Sequence, residues 1–181
     1  MDCDFYPAGE DCLLILTGLG GSVRGYNDKY AKIARTVGER FNCSAVVCAI
    51  PQSCWEHPGQ TFENALNCAY SRTDFKKLLI FGNSAGGTLA LWYAYLYPQI
   101  AKVLAVNPVL NLNYHLLKEG LQNFCGEKMI ICSGEKDGGA QWINFLQDKP
   151  NLLKKIISGA DHNFSGMESE FCVLPGLLFG D

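Results

Sequence analysis

Strand-like apolar runs alternate with helix-like periodic segments along the whole chain, and few architectures accept that order. Cys12 to Thr17, Ser44 to Ile50, Lys77 to Phe81, Ile100 to Val106, Lys128 to Cys132 and Leu152 to Ile157 are short runs rich in Leu, Ile and Val. Between the first two, Tyr30, Ile33, Ala34, Val37 and Phe41 recur at helical spacing, with Asn27 or Asp28 as cap. Phe62, Ala65, Leu66, Ala69 and Tyr70 repeat the pattern behind Thr61. Ser84 to Tyr97, Tyr114 to Phe124 and Ala140 to Gln147 complete it, and Ser165 and Glu168 have capping-box spacing before a last helix. Continuous apolar strands alternating with helices predict a mostly parallel sheet covered on both faces. The expected fold is one three-layer α/β/α domain over residues 1–181, with six or seven strands. An early strand at Cys3 to Tyr6 is expected to turn back through Pro7–Ala8–Gly9 as a hairpin.

Composition narrows the function classes. Charged residues make up 18% of the chain, below the usual ~25%, which argues against disorder. The net charge of −3 shows no basic excess, so no nucleic-acid partner is expected. Met1 to Val23 carries four acids and no Lys or Arg, unlike a signal or transit peptide. The longest strongly apolar stretch, Leu89 to Tyr97, is far short of a bilayer span of ~20 residues, so no membrane partner is expected. The nine cysteines form no CxxC pair and no metal spacing. They are expected to be reduced and to act as small buried hydrophobes in a cytoplasmic protein.

The segment from Leu78 to Gly87 carries the chemistry. A strand runs into Gly82–Asn83–Ser84–Ala85–Gly86, a G-x-S-x-G, and then into a helix. A sharp strand-to-helix turn exposes a serine hydroxyl, and glycines on either side remove side chains that would collide there. The plain alternative is Ser84 as an ordinary helix cap. Two further loops favour the nucleophile. Ser133 to Asp137 and Gly159 to Phe164 each follow a strand directly, at the strand ends where sites in parallel sheets lie. Ser84 as nucleophile, Asp137 as orienting acid and His162 as base then fall in the order nucleophile, acid, base. His57 is the competing base, His115 sits in a helix candidate, and Glu135 competes for the acid position. Asp161 is read as a loop brace. An oxyanion needs two converging N–H donors. Ala85 supplies one, and Leu19, in the loop Thr17 to Ser22, supplies the other. A phosphate-binding reading of that loop fails on spacing, because Val23 stands where G-x-G-x-x-G needs glycine.

With these residues in hand, the chain resembles the α/β-hydrolase superfamily over nearly its whole length. The resemblance rests on Gly18–Leu19–Gly20–Gly21, Gly82 to Gly86, Gly134 to Asp137 and Asp161–His162. Gly159 to Phe164 is similar to the base loops of dienelactone-hydrolase-like and small esterase members. The resemblance implies acyl transfer to water through a covalent serine ester, with no cofactor and no metal. Two departures stand out. Thr17 occupies the place of a histidine in many members. Only about twenty residues separate the strand ending near Asn107 from the one starting near Lys128, so little or no cap is expected. The expected partner is a small-molecule acyl substrate, an ester or a thioester, with a short or accessible acyl group. Amidase, acyltransferase and non-catalytic ligand-binding functions fit the same residues. Trp55, His57, Tyr26, Trp142 and Phe164 are candidates for the rim of the site.

Overall fold

The structure, a computed structural model, describes residues 1–180. Seven strands form one sheet: β1 (Cys3–Tyr6), β2 (Asp11–Leu19), β3 (Cys43–Ile50), β4 (Leu78–Asn83), β5 (Ile100–Val106), β6 (Lys128–Gly134) and β7 (Leu152–Ile157). Their order is β1-β3-β2-β4-β5-β6-β7, all parallel except β1. Six α-helices accompany them: α1 (Lys29–Phe41), α2 (Pro58–Tyr70), α3 (Ala85–Tyr93), α4 (Tyr114–Asn123), α5 (Ala140–Ile143) and α6 (Glu168–Val173).

The alternation of side chains along each strand divides the core in two. Leu13, Ile15, Val47, Phe81 and Leu104 pack with Ile33 and Val37 of α1 and Phe171 of α6. Leu14, Leu16, Val46, Ile80 and Val103 pack with Phe62 of α2, Leu89 of α3 and Leu117 of α4. Both faces of the sheet are therefore dry, which is why its strands read as unbroken apolar runs. The chain winds from β2 to β3 in one direction, then crosses back to place β4 on the other side of β2. That reversal opens a crevice between the carboxyl ends of β2 and β4, the place where such sheets bind ligands.

The expected sheet is present, with several local differences. The hairpin is absent: β1 lies antiparallel to β3, with Cys3 opposite Cys48 and Tyr6 opposite Ala45. β2 is already paired on both sides, by β3 and β4, so β1 adds to the outer edge of β3, its neighbour's open side. Helix α2 starts at Pro58, whose fixed φ suits a first turn, and Thr61 is buried inside it instead of capping it. The capping box does not form: Asp161 takes the Ser165 N–H at 2.9 Å, and Glu168 accepts the Gly166 N–H. The segment after α3 tightens into a 3-10 turn, Ala94–Leu96, ahead of Pro98. Asp28 precedes α1 but turns to Arg24 at 3.4 Å, and α5 is a single turn.

All nine cysteines are free thiols. Burial pushes Cys12, Cys43 and Cys132 up to about 12 from an ordinary 9.0. In alkali the unfolded chain ionises these thiols first, so the native state holds more protons and stability falls as pH rises. Their contribution is intact below about pH 9 and is lost progressively toward pH 12. Each costs at most about 1.4 kcal/mol per pH unit in that window. Thermal melts across the range should show the decline, and Cys132→Ala should flatten it.

Candidate active site

The site is built on the crevice between β2 and β4. β4 ends at Asn83, and α3 begins at Ala85, so Ser84 makes the whole turn. Its backbone is left-handed, φ 51° and ψ −114°, a conformation costly for any residue but glycine. The Ser84 N–H to Val106 O bond (2.8 Å) and the Thr88 N–H to Ser84 O bond (2.9 Å) hold it there. The flanking glycines are required by contact. A Cβ on Gly82 would lie 2.6 Å from the backbone of Gly86, and one on Gly86 would lie 2.5 Å from Leu16 O. The turn raises the Ser84 hydroxyl to the rim, half-buried.

His162 reaches that hydroxyl from the loop after β7, with Nε2 3.0 Å from Ser84 Oγ. Its Nδ1 is hydrogen-bonded to Asp137 Oδ2. Asp137 lies in the loop after β6 and is only 7% exposed, whereas His162 is 45% exposed. The second Asp137 oxygen accepts the Gly139 N–H at 2.6 Å, which fixes the carboxylate. Ser84, His162 and Asp137 thus form one continuous chain of hydrogen bonds across three loops. An imidazole so held between a carboxylate and a hydroxyl is arranged to accept the serine proton, with the resulting positive charge beside the acid.

The glycine loop after β2 lies against the same turn. A Cβ on Gly18 would sit 3.6 Å from Ser84 Cβ, so the Gly18–Leu19 backbone borders Ser84. The Tyr30 hydroxyl accepts the Gly18 N–H (3.3 Å) and the Asn83 side-chain amide (3.1 Å), linking this loop to the turn. Thr17, fully buried, accepts the Ile50 N–H at 3.0 Å and donates to Gly18 O at 3.1 Å, so it braces the loop from within. Ala85 opens α3, and a first-turn N–H has no partner inside its own helix.

No family model and no curated protein matches the chain. Solved structures do. Est1E from Butyrivibrio proteoclasticus superposes with a TM-score of 0.76 at 11% identity, covering 98% of this chain and 92% of that one. An α/β serine hydrolase homologue from Coxiella burnetii gives 0.74 at 16% identity, over 98% and 91% of the two chains. The chain has the α/β-hydrolase fold. The putative α/β hydrolase ATU1826 from Agrobacterium tumefaciens shares it at a TM-score of 0.69, 17% identity, and 94% and 85% coverage.

Within this α/β-hydrolase fold the competing residues have other occupations. His57 precedes α2 and is exposed, and His115 lies on the exposed side of α4. Glu135 accepts the Gly159 N–H (2.7 Å) and the Ser158 hydroxyl (3.1 Å); those bonds, the backbone one foremost, hold its carboxyl below the ordinary value. Asp161 accepts the Asn163 and Ser165 N–H groups, both at 2.9 Å, and its carboxyl is lowered chiefly by the Ser165 N–H. It braces the His162 loop, as its position suggests. Of the rim candidates, Tyr26 is 73% exposed, but Phe164 is fully buried against Phe171 and lines nothing. Trp55 packs on Trp92.

Beside the Tyr30 hydroxyl, a second supporting group is unmarked in the sequence. Asn107, fully buried at the end of β5, donates to Asp161 O (3.2 Å) and His162 O (2.8 Å) and accepts the Gly134 N–H (2.7 Å). It ties the Asp137 loop to the His162 loop, and its left-handed φ of 48° aims the amide between them. The only signal was a polar residue closing an apolar strand. Between β5 and β6 the chain inserts α4 and short flanking loops, with no longer excursion.

Proposed function

We propose that the protein is a serine hydrolase that cleaves carboxylic esters through an acyl-enzyme. The reading is carried by one observation: His162 bridges the Ser84 hydroxyl and the Asp137 carboxylate. In the proposed reaction His162 Nε2 takes the Ser84 proton as Oγ attacks the acyl carbon. The Leu19 and Ala85 N–H groups receive the negative oxygen of the tetrahedral adduct. His162 then gives its proton to the departing alkoxide, leaving Ser84 acylated. Water enters, His162 removes its proton, and the acid departs as Ser84 regains its hydrogen. No cofactor or metal takes part in this scheme.

The substrate proposed is a small molecule with a short or accessible acyl group. The short connection between β5 and β6, which leaves little chain to cover the crevice, supports that choice. A reducing, cytoplasmic setting suits nine unpaired thiols. No helix among the described residues is long and apolar enough to cross a membrane. The test is initial-rate hydrolysis of a series of p-nitrophenyl esters. Turnover is expected to be fastest with acetate and butyrate and to fall with long chains. A folded protein that turns over none of them would contradict the proposal.

A further inference from the structure

A pocket of about 460 Å³, in the size range of small-molecule clefts, begins one residue beyond His162, at Asn163. Tyr26 and Lys29 line it from the segment leading into α1; Asn163, Ser165, Glu168 and Phe171 line it from the His162 loop and α6. Lys29 is the unusual member. Its ammonium lies 4.5 Å from the Phe171 ring centroid and 5.2 Å from that of Tyr30, so its immediate surroundings are aromatic. It makes no ion pair among the described residues, although five other cations and His162 do. Burial lowers its pKa, as expected of a charge held away from water. An anion entering the pocket would meet this unpaired ammonium in a charge-assisted hydrogen bond.

We infer that this pocket binds a carboxylate carried on the alcohol portion of the ester. The inference rests on the esterase reading and deepens it. The alcohol side is chosen because Asn163 directly follows His162, the residue that hands its proton to the departing oxygen. A substrate chain running on from that oxygen passes along the His162 loop toward Lys29. A monoanion is chosen because Glu168 already places one negative charge in the lining. Its carboxylate is turned onto the Gly166 N–H at 3.3 Å. A dianion would meet that charge with only one ammonium to offset it.

The test compares two acetates with the same acyl group, para-acetoxybenzoate and its neutral methyl ester. The wild-type protein is expected to favour the anionic ester in kcat/KM, chiefly through KM. Lys29→Met should cut that preference roughly ten- to a hundredfold, the worth of a hydrogen bond to a charged group. Lys29→Arg should keep most of it. Should Lys29→Met fail to fold, added salt should shrink the wild-type preference by screening the pair. A wild-type preference near one, or one that Lys29→Met or salt leaves unmoved, overturns the inference while the esterase reading stands. Hydrolysis of neither ester by folded protein overturns both.

Discussion

Ser84→Ala is expected to reduce ester turnover by about 10⁵- to 10⁶-fold in kcat, the loss seen when a nucleophile that works as part of a unit is removed. The fold should be untouched. Ser84 Oγ bonds only to His162, whereas the turn is held by backbone bonds to Val106 and Thr88 that alanine retains. Alanine keeps the left-handed φ of 51° and its cost. Ser84→Gly should relieve that cost and melt above the alanine variant, by the equivalent of about 1 kcal/mol. Activity assays and thermal melts on the two variants therefore separate the chemistry of the hydroxyl from the strain of its backbone. Retained turnover in either variant would remove Ser84 from the mechanism.

Asp137→Asn carries the second-largest expected loss, about 10⁴-fold in kcat. The carboxylate accepts a proton-bearing Nδ1 from His162, which leaves Nε2 free to receive the serine hydrogen. An asparagine amide can instead donate to Nδ1, and the proton then sits on Nε2, which can donate to Ser84 Oγ but no longer accept its hydrogen. The Gly139 N–H still finds an oxygen, so the loop should hold its shape. The loss should therefore fall on kcat with KM nearly constant. Glu135→Gln is the matched control. Its carboxylate holds the Ser158–Gly159 turn and does not touch His162, so its effect on rate should be small. An Asp137→Asn enzyme as active as wild type would take the acid role from Asp137.

The two variants probe residues that were legible in the sequence for a physical reason. Glycines at 82 and 86 are spaced for a close approach of backbone to backbone, and the approach is there. Asp137 and His162 follow strands whose apolar runs mark them plainly, and parallel strands deliver such loops to one edge. The parallel core was legible because both faces of the sheet are dry. What escaped depended on partners distant in sequence. Asn107 matters because it touches two loops that meet only in the folded chain. The hydroxyl of Tyr30 was hidden behind its ring, which belongs to the apolar face of α1. Pro7–Ala8–Gly9 after β1 reads as a hairpin turn, but the pairing of β1 was decided by the open edge of β3. Lys29 reads as one more charge at a helix start until the aromatic walls around it are assembled.

The central claim is that Ser84 is activated by His162. A fluorophosphonate probe, followed by intact mass, tests this most directly because it needs no knowledge of the substrate. The account predicts a single adduct on the wild-type chain, mapped to Ser84, absent from Ser84→Ala and formed far more slowly in Asp137→Asn. A folded wild-type protein that takes up no probe, or one labelled at another residue, would contradict it.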